Sequence, residues 1–333
     1  WPTRGGGGHW GGLPIGFEAL LLITFLVSTL TQYFAPAEQS AIPLIVPKRD
    51  LLPANSLYTT TMMASVILGF AIGEPLLGIA SWSLRWVSPD PELGRVLVVG
   101  GAYILAGLIL LRLRTGEDDH ADTKKEETHI WQDICIGLQF LRKTPVVRAA
   151  MLQLVALFAL FAALAVLAVR MAELLPSLAT SEFGFLLAAA GVGLGLGAFW
   201  IGQQGEQVNS QRLGLFGSLG MAAALALLGW NHSSLVLSLF LIAVIGGMGA
   251  LVGVPMQTLI QTLTPTNLRG KVFGLQNNVT NIALSLPLLA AGVAETYFGL
   301  QAVLLGLAVL TTVVGSLAWR MMAVVQTGDS GSE

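Results

Sequence analysis

The chain has 333 residues, of which 54% are hydrophobic and only 11% charged, and its net charge is −2. Soluble domains carry roughly 25% charged residues, so a single water-solvated core is excluded and lipid must solvate much of the chain. The charge balance offers no basic surface for nucleic acid, and the lone cysteine, Cys135, excludes an internal disulfide or a cysteine-cluster metal site.

The opening WPTRGGGGHWGG is too rich in glycine to hold a helix. It lacks the lysine of a phosphate-binding loop, so 1–16 reads as a disordered stretch. Nine apolar runs then approach or reach the length of about 20 residues that spans a bilayer. They fall at about 17–35, 54–80, 94–111, 147–169, 183–201, 213–230, 235–262, 272–294 and 300–322. None alternates with period two as barrel strands do, so the expected fold class is all-α and integral to a membrane. His9, His120, His129 and His232 show no ligand spacing, and neither a metal nor another cofactor is expected.

The first connection, FAPAEQSAIPLIVPKRDLLPANSL (Phe34–Leu57), concentrates prolines with Lys48, Arg49 and Asp50. Prolines stop and restart helices, and basic residues mark the cytoplasmic side. With this turn inside, alternation leaves only Arg4, Arg85, Arg95 and Arg170 of the 17 Lys and Arg on the opposite side. The tail 323–333 is then cytoplasmic. So is the linker 112–146, which begins charged and continues with Ile130, Ile134, Leu138 and Leu141 at helical spacing beside Trp131. That pattern predicts an amphipathic helix on the inner membrane surface.

A similar turn returns near the other end as VPMQTLIQTLTPTNLRGKVFGL (Val254–Leu275). A shift of 218 places Gln39 on Gln257 and Pro47 on Pro265. Helix, proline-bearing basic turn and helix recur in the same orientation, which is the plan of two parallel repeats. About 110 residues precede Gln257 within the half that starts near 147, against 38 before Gln39. The difference is room for roughly three helices. The chain is therefore expected to correspond to the last nine helices of a twelve-helix protein: an incomplete N-terminal half over 17–111 and a six-helix half over 147–322.

These residues resemble bacterial major facilitator exporters, in the branch of enterobactin exporters, macrolide efflux proteins and lysophospholipid transporters. PAEQSAIPLIVPKRDLLPANSL is similar to their loop between the fourth and fifth helices, TPTNLRGKVFGLQNNV to the loop before the eleventh, and IGLQFLRKTPVVRAAML to the lead into the seventh. GFAIGEPLLG looks like the glycine–proline motif of the antiporters' fifth helix, matched by Gly69, Gly73, Pro75 and Gly78, with Glu74 intruding. The family's Gly–Asp–Arg loop has only a faint counterpart in Gly202, Glu206 and Arg212. The resemblance implies a major facilitator fold in the cell inner membrane and proton-coupled export of a small amphiphilic molecule by alternating access. A lysophospholipid flippase, or an inactive or scaffolding remnant, are the other readings. No nucleotide-binding motif suggests an ATP-driven or other enzymatic activity.

Candidate transport residues are the polar groups inside spans, since a mid-membrane charge costs about 2.5–3.5 kcal/mol. Glu74 either lines a central cavity, binding a proton or a cationic substrate, or reaches water at the outer rim. LQNNVTNIALSLP puts Asn277, Asn278 and Asn281 in the first turns of a span, with Asn277 and Asn281 on one face. In the repeat, Tyr58, Thr59 and Thr60 take the places of Gln276, Asn277 and Asn278. The two starts either face each other as a cytoplasmic entrance or form plain interhelical hydrogen bonds. Gln153 is a further pore candidate, and Arg170 with Glu173 reads as a rim pair. Gly69, Gly73, Pro75 and Gly78 serve as a hinge or as close-packing positions.

Overall fold

A computed structural model describes residues 9–10, 13–83, 92–112, 130–175, 183–204, 209–230 and 234–329. Apart from an antiparallel pairing of His9–Trp10 with Leu13–Pro14, the described chain is helix and turn. The helices are α1 Ile15–Ile45, α2 Leu51–Ser83, α3 Glu92–Leu110, α4 Ile130–Lys143, α5 Pro145–Leu174, α6 Gly184–Gln204, α7 Ser210–Trp230, α8 Leu235–Leu263 and α9 Arg269–Asp329. Each apolar run of the sequence falls on helix. Among the described residues, six helices are long and apolar enough to cross a membrane by length and composition.

At 61 residues, α9 would be about 90 Å long if straight, three times the hydrocarbon thickness. It turns back at Gly299, where φ is 77° and ψ 162°, a conformation open to glycine and strained for any side chain. The neighbours fix the reversal. Arg170 Nε, at the end of α5, donates to Glu295 Oε1 at 3.0 Å. Past Gly299, Gln301 and Leu304 lie against Gly229 at the end of α7. Gln211 Nε2, at the start of α7, donates to the Trp319 carbonyl at 3.0 Å. The arm 269–298 thus runs alongside α5 in the same direction, and the arm 300–319 returns along α7.

Helices α5, α7, α8 and both arms of α9 close around one core, with Leu154, Leu167, Leu225, Leu228, Ile245 and Leu304 among its buried residues. Packing of α6 on α8 rests on glycine. A Cβ at Gly193 would meet the Ala243 carbonyl and one at Gly246 the Ala190 carbonyl, while one at Gly197 would stand 2.6 Å from the Gly247 oxygen. Small residues permit backbones to approach this closely, where lipid tails leave van der Waals packing to drive association. The same device joins α2 to α6, with Gly202 against Ser56 and Gly195 against Met63. The apolar stretch of α1 is 0% buried, against 44% for α8. Phe25, Leu30 and Tyr33 of α1, like Tyr103 of α3 and Leu111 just after it, are exposed apolar or aromatic surface, which suits a lipid solvent and not water.

The repeat seen in the sequence recurs in the backbone. Pro47 and Pro265 share φ −58° and ψ 148°, and each opens a single 3₁₀ turn, Lys48–Asp50 and Thr266–Leu268. Asp50 N–H donates to the Pro47 carbonyl at 2.9 Å and Leu268 N–H to the Pro265 carbonyl at 3.0 Å. One helix ends at Ile45 and its counterpart at Leu263; the next begin at Leu51 and Arg269. All of these pairs are 218 residues apart, so the two basic turns are one unit used twice. The end of the molecule that carries Lys48 and Lys271 is called the basic end below.

Candidate functional site

Near the basic end, α1, α2, α8 and the first arm of α9 bring their amides together. Gln276 Nε2 donates to Gln257 Oε1 at 2.7 Å. Gln257 Nε2 donates in turn to Gln39 Oε1 at 2.8 Å, and Gln261 Nε2 approaches the same oxygen at 3.4 Å. Asn55 Nδ2 donates to Gln261 Oε1 at 2.6 Å and lies 3.0 Å from Thr258 Oγ1 and 3.0 Å from the Leu51 carbonyl. Asn55 and Gln261 are 2% and 0% exposed. A buried amide needs partners, because leaving it unpaired costs about 1–3 kcal/mol. The network therefore fixes the rotation of four helices relative to one another.

A second clasp lies beside it. Asn277 Nδ2 and Asn281 Nδ2 both donate to Gln32 Oε1 of α1, at 2.8 Å and 3.0 Å. Their i,i+4 spacing forks the two amides onto one acceptor. Glu38, half-buried on α1, sits beside Tyr58 of α2. Thr60 Oγ1 donates to the Gly195 carbonyl at 3.4 Å, linking α2 to α6 at the same level.

The amide contacts that join the two halves lie toward the basic end. Further along α2, a Cβ at Gly69, Gly73 or Gly78 would meet nothing within 4 Å. Those three glycines are not points of close helix contact here, whereas Gly193, Gly197 and Gly246 are. The side chains of Glu74 and Pro75 lie outside the described residues, as do Glu206 and residues 113–129 of the linker. Thr59 is half-buried and donates to the Asn55 carbonyl of its own helix at 2.9 Å, and Asn278 is exposed. Gln153 is 3% exposed and faces the interior of the C-terminal half. It lines a cavity of about 10 Å³ with Ser218, Met221, Val252 and Thr311, and its buried Oε1 has no hydrogen-bond partner among the described residues. At the opposite end Arg170 binds Glu173 at 2.7 Å, as the spacing suggested, and also Glu295.

A profile of the major facilitator superfamily matches residues 7–286, most of the chain and both basic turns. This chain belongs to that superfamily. It is therefore a multi-pass membrane protein of a transporter family rather than an enzyme family. It is 28% identical over 302 residues to the uncharacterized MFS-type transporter YfiS of Bacillus subtilis (strain 168), covering 89% of this chain and 70% of that protein. It is 26% identical over 278 residues to the enterobactin exporter EntS of Escherichia coli O1:K1 and of Shigella boydii serotype 18, covering 82% of this chain. The chain spans 63% of the length of those exporters.

Sequence reasoning singled out Asn277 and Asn281 but did not find Gln32, Asn55, Gln261 or Glu38. Gln39 and Gln257 were marked only as a matching pair in the repeat. That match was the usable signal. When two like halves are related by a two-fold axis, residues close to the axis meet their own counterparts.

Proposed function

We propose that the protein is a secondary active transporter that exports a small amphiphilic molecule across the cytoplasmic membrane by alternating access. The proton gradient drives it as an antiporter, and the amide network is the gate at the basic, cytoplasmic end. The observation that carries this reading is the hydrogen bond between Gln39 and Gln257. A contact between like positions of two repeats lies near the axis relating them, and rocking one half against the other breaks it. Interhelical side-chain hydrogen bonds in membranes average about 0.6 kcal/mol. The bonds that cross between the halves, from Gln257 to Gln39, from Asn55 to its α8 partners and in the Gln32 clasp, together come to about 3 kcal/mol on that scale. A latch of that size holds one state, yet a ligand with a comparable preference for the other can open it.

In this scheme Thr59, Asn277, Asn278 and Asn281 line the substrate path at the gate. Gln153 serves from inside the C-terminal half, and Gly69, Gly73, Pro75 and Gly78 shape the moving part of α2. Glu74 takes the proton or a cationic group, and Glu38 beside Tyr58 is a second carboxylate for the proton. Open space beside Gly69, Gly73 and Gly78 supports a path that is open away from the basic end. The exporters among the relatives support small-molecule export.

The test is efflux of a fluorescent amphiphile from bacteria lacking their own exporters, with and without the protein and with and without a protonophore. Expression should lower accumulation, and the protonophore should restore it. Equal accumulation in expressing and control cells overturns the reading and leaves a scaffolding or inactive protein. A lysophospholipid flippase is favoured by one observation. A groove of about 630 Å³ between α5 and the two arms of α9 is lined by apolar residues including Leu286, Ala290, Phe298 and Leu310. Uptake of labelled lysolipid in preference to drug-like amphiphiles by proteoliposomes would select it.

A further inference from the structure

Helix α4 has two working faces. Its inner face docks on the start of α9. Asp133 Oδ1 lies 2.9 Å from Lys271 Nζ, Leu141 is buried, and a Cβ at Gly137 would stand 3.5 Å from the Lys271 carbonyl oxygen. Its outer face repeats at i, i+4 and i+7 with Trp131, Cys135 and Leu138. Trp131 is 79% and Leu138 47% exposed, and Cys135 is exposed. Arg142 and Lys143 follow in its last turn, and Arg148 one turn into α5, all exposed. No Asp or Glu falls between Asp133 and Glu173.

We propose that this outer face is a docking surface for anionic phospholipid headgroups, and that α4 passes their presence to the first turns of α9 through the Asp133–Lys271 pair. Position and charge select the occupant. Only Thr144 separates α4 from the membrane-crossing α5, so the apolar stripe is held at the membrane boundary. There a tryptophan sits at headgroup depth and lipid tails can cover the apolar residues. Three cations with no acid among them complement an anionic leaflet, and each such cation strengthens membrane attachment by roughly fivefold. The inner face grips the turn from which Gln276, Asn277 and Asn281 project, so attachment bears on the amide network. That last consequence rests on the gate proposed above; the lipid contact itself does not.

Cys135 is the only cysteine in the chain, so the purified full chain can be labelled there with a polarity-sensitive fluorophore. It is then placed in nanodiscs of phosphatidylcholine alone or with phosphatidylglycerol, and quenched with aqueous acrylamide, a neutral quencher that the surface charge does not repel. The expected result is a several-fold fall in acrylamide quenching on adding phosphatidylglycerol, reversed by high salt and lost in the R142Q/K143Q variant. Slower hydrogen exchange at 269–277 should accompany it, and Lys271→Gln should remove that slowing while leaving the quenching change intact. Equal quenching in the two membranes, or an effect that survives R142Q/K143Q, overturns lipid docking. A quenching change without any change at 269–277 overturns the link to α9. Both readouts are independent of transport, so a protein that exports nothing can still pass, and one that exports can still fail.

Discussion

The bond between Asn55 and Gln261 offers the sharpest test of the amide network. The two residues are 2% and 0% exposed and their hydrogen bond is 2.6 Å long. Replacing either by leucine keeps much of the volume but leaves the other amide buried with a lost partner, a penalty of about 1–3 kcal/mol. Removing both takes away the bond and the orphan together, so the double variant should be less destabilised than the two singles combined. Couplings of this kind inside membranes average about 0.6 and reach about 1.7 kcal/mol. A short bond between two fully enclosed groups belongs near the upper limit, so a coupling of about 1–1.5 kcal/mol is expected. Asn55 also loses Thr258 and the Leu51 carbonyl, but those losses occur in both arms of the cycle and cancel. Equilibrium unfolding by SDS in mixed micelles, followed by helical circular dichroism, measures all four proteins. Strict additivity within about 0.3 kcal/mol would refute the claim that these amides are paired across α2 and α8.

Other substitutions probe the packing and the proposed coupling. Gly246→Ala puts a methyl against the Ala190 carbonyl and should cost at least about 1–3 kcal/mol in the same unfolding assay. Gly73→Ala, facing open space, should be neutral or slightly stabilising; equal losses in the two would contradict the assigned contacts. Gly299→Ala forces a side chain into φ 77° and should cost about 1–3 kcal/mol, visible as a lower SDS midpoint. If Glu38 carries the proton, Glu38→Gln should retain substrate binding while export loses its dependence on the pH gradient. Unchanged pH-driven export would assign the proton elsewhere.

Much of the architecture was legible because lipid imposes a simple demand. A chain crossing it must bury every backbone hydrogen bond within its own helix, so long apolar runs read directly as helices. The register of 218 was legible too, since Pro47 and Pro265 must do the same job at two equivalent turns. The glycines were not legible. Gly69, Gly73 and Gly78 carry the sequence motif yet face open space, while Gly193 and Gly246, within glycine-rich runs that named no partner, make the close contacts. Polar residues behaved alike. Asn277 and Asn281 announced a polar face without saying that Gln32 would meet it, and Gln153 gave no sign that it would turn into the C-terminal half.

The amino-acid order by itself settled the solvent, the helical class, the two matching basic turns and the family resemblance. These depend on the length and composition of segments, and composition is local. The crossing and rotation of the helices decided which amides met, which glycines touched and where α4 leaned. An apolar helix presents greasy residues all round, so its sequence does not single out the face that meets a neighbour from the face that meets lipid.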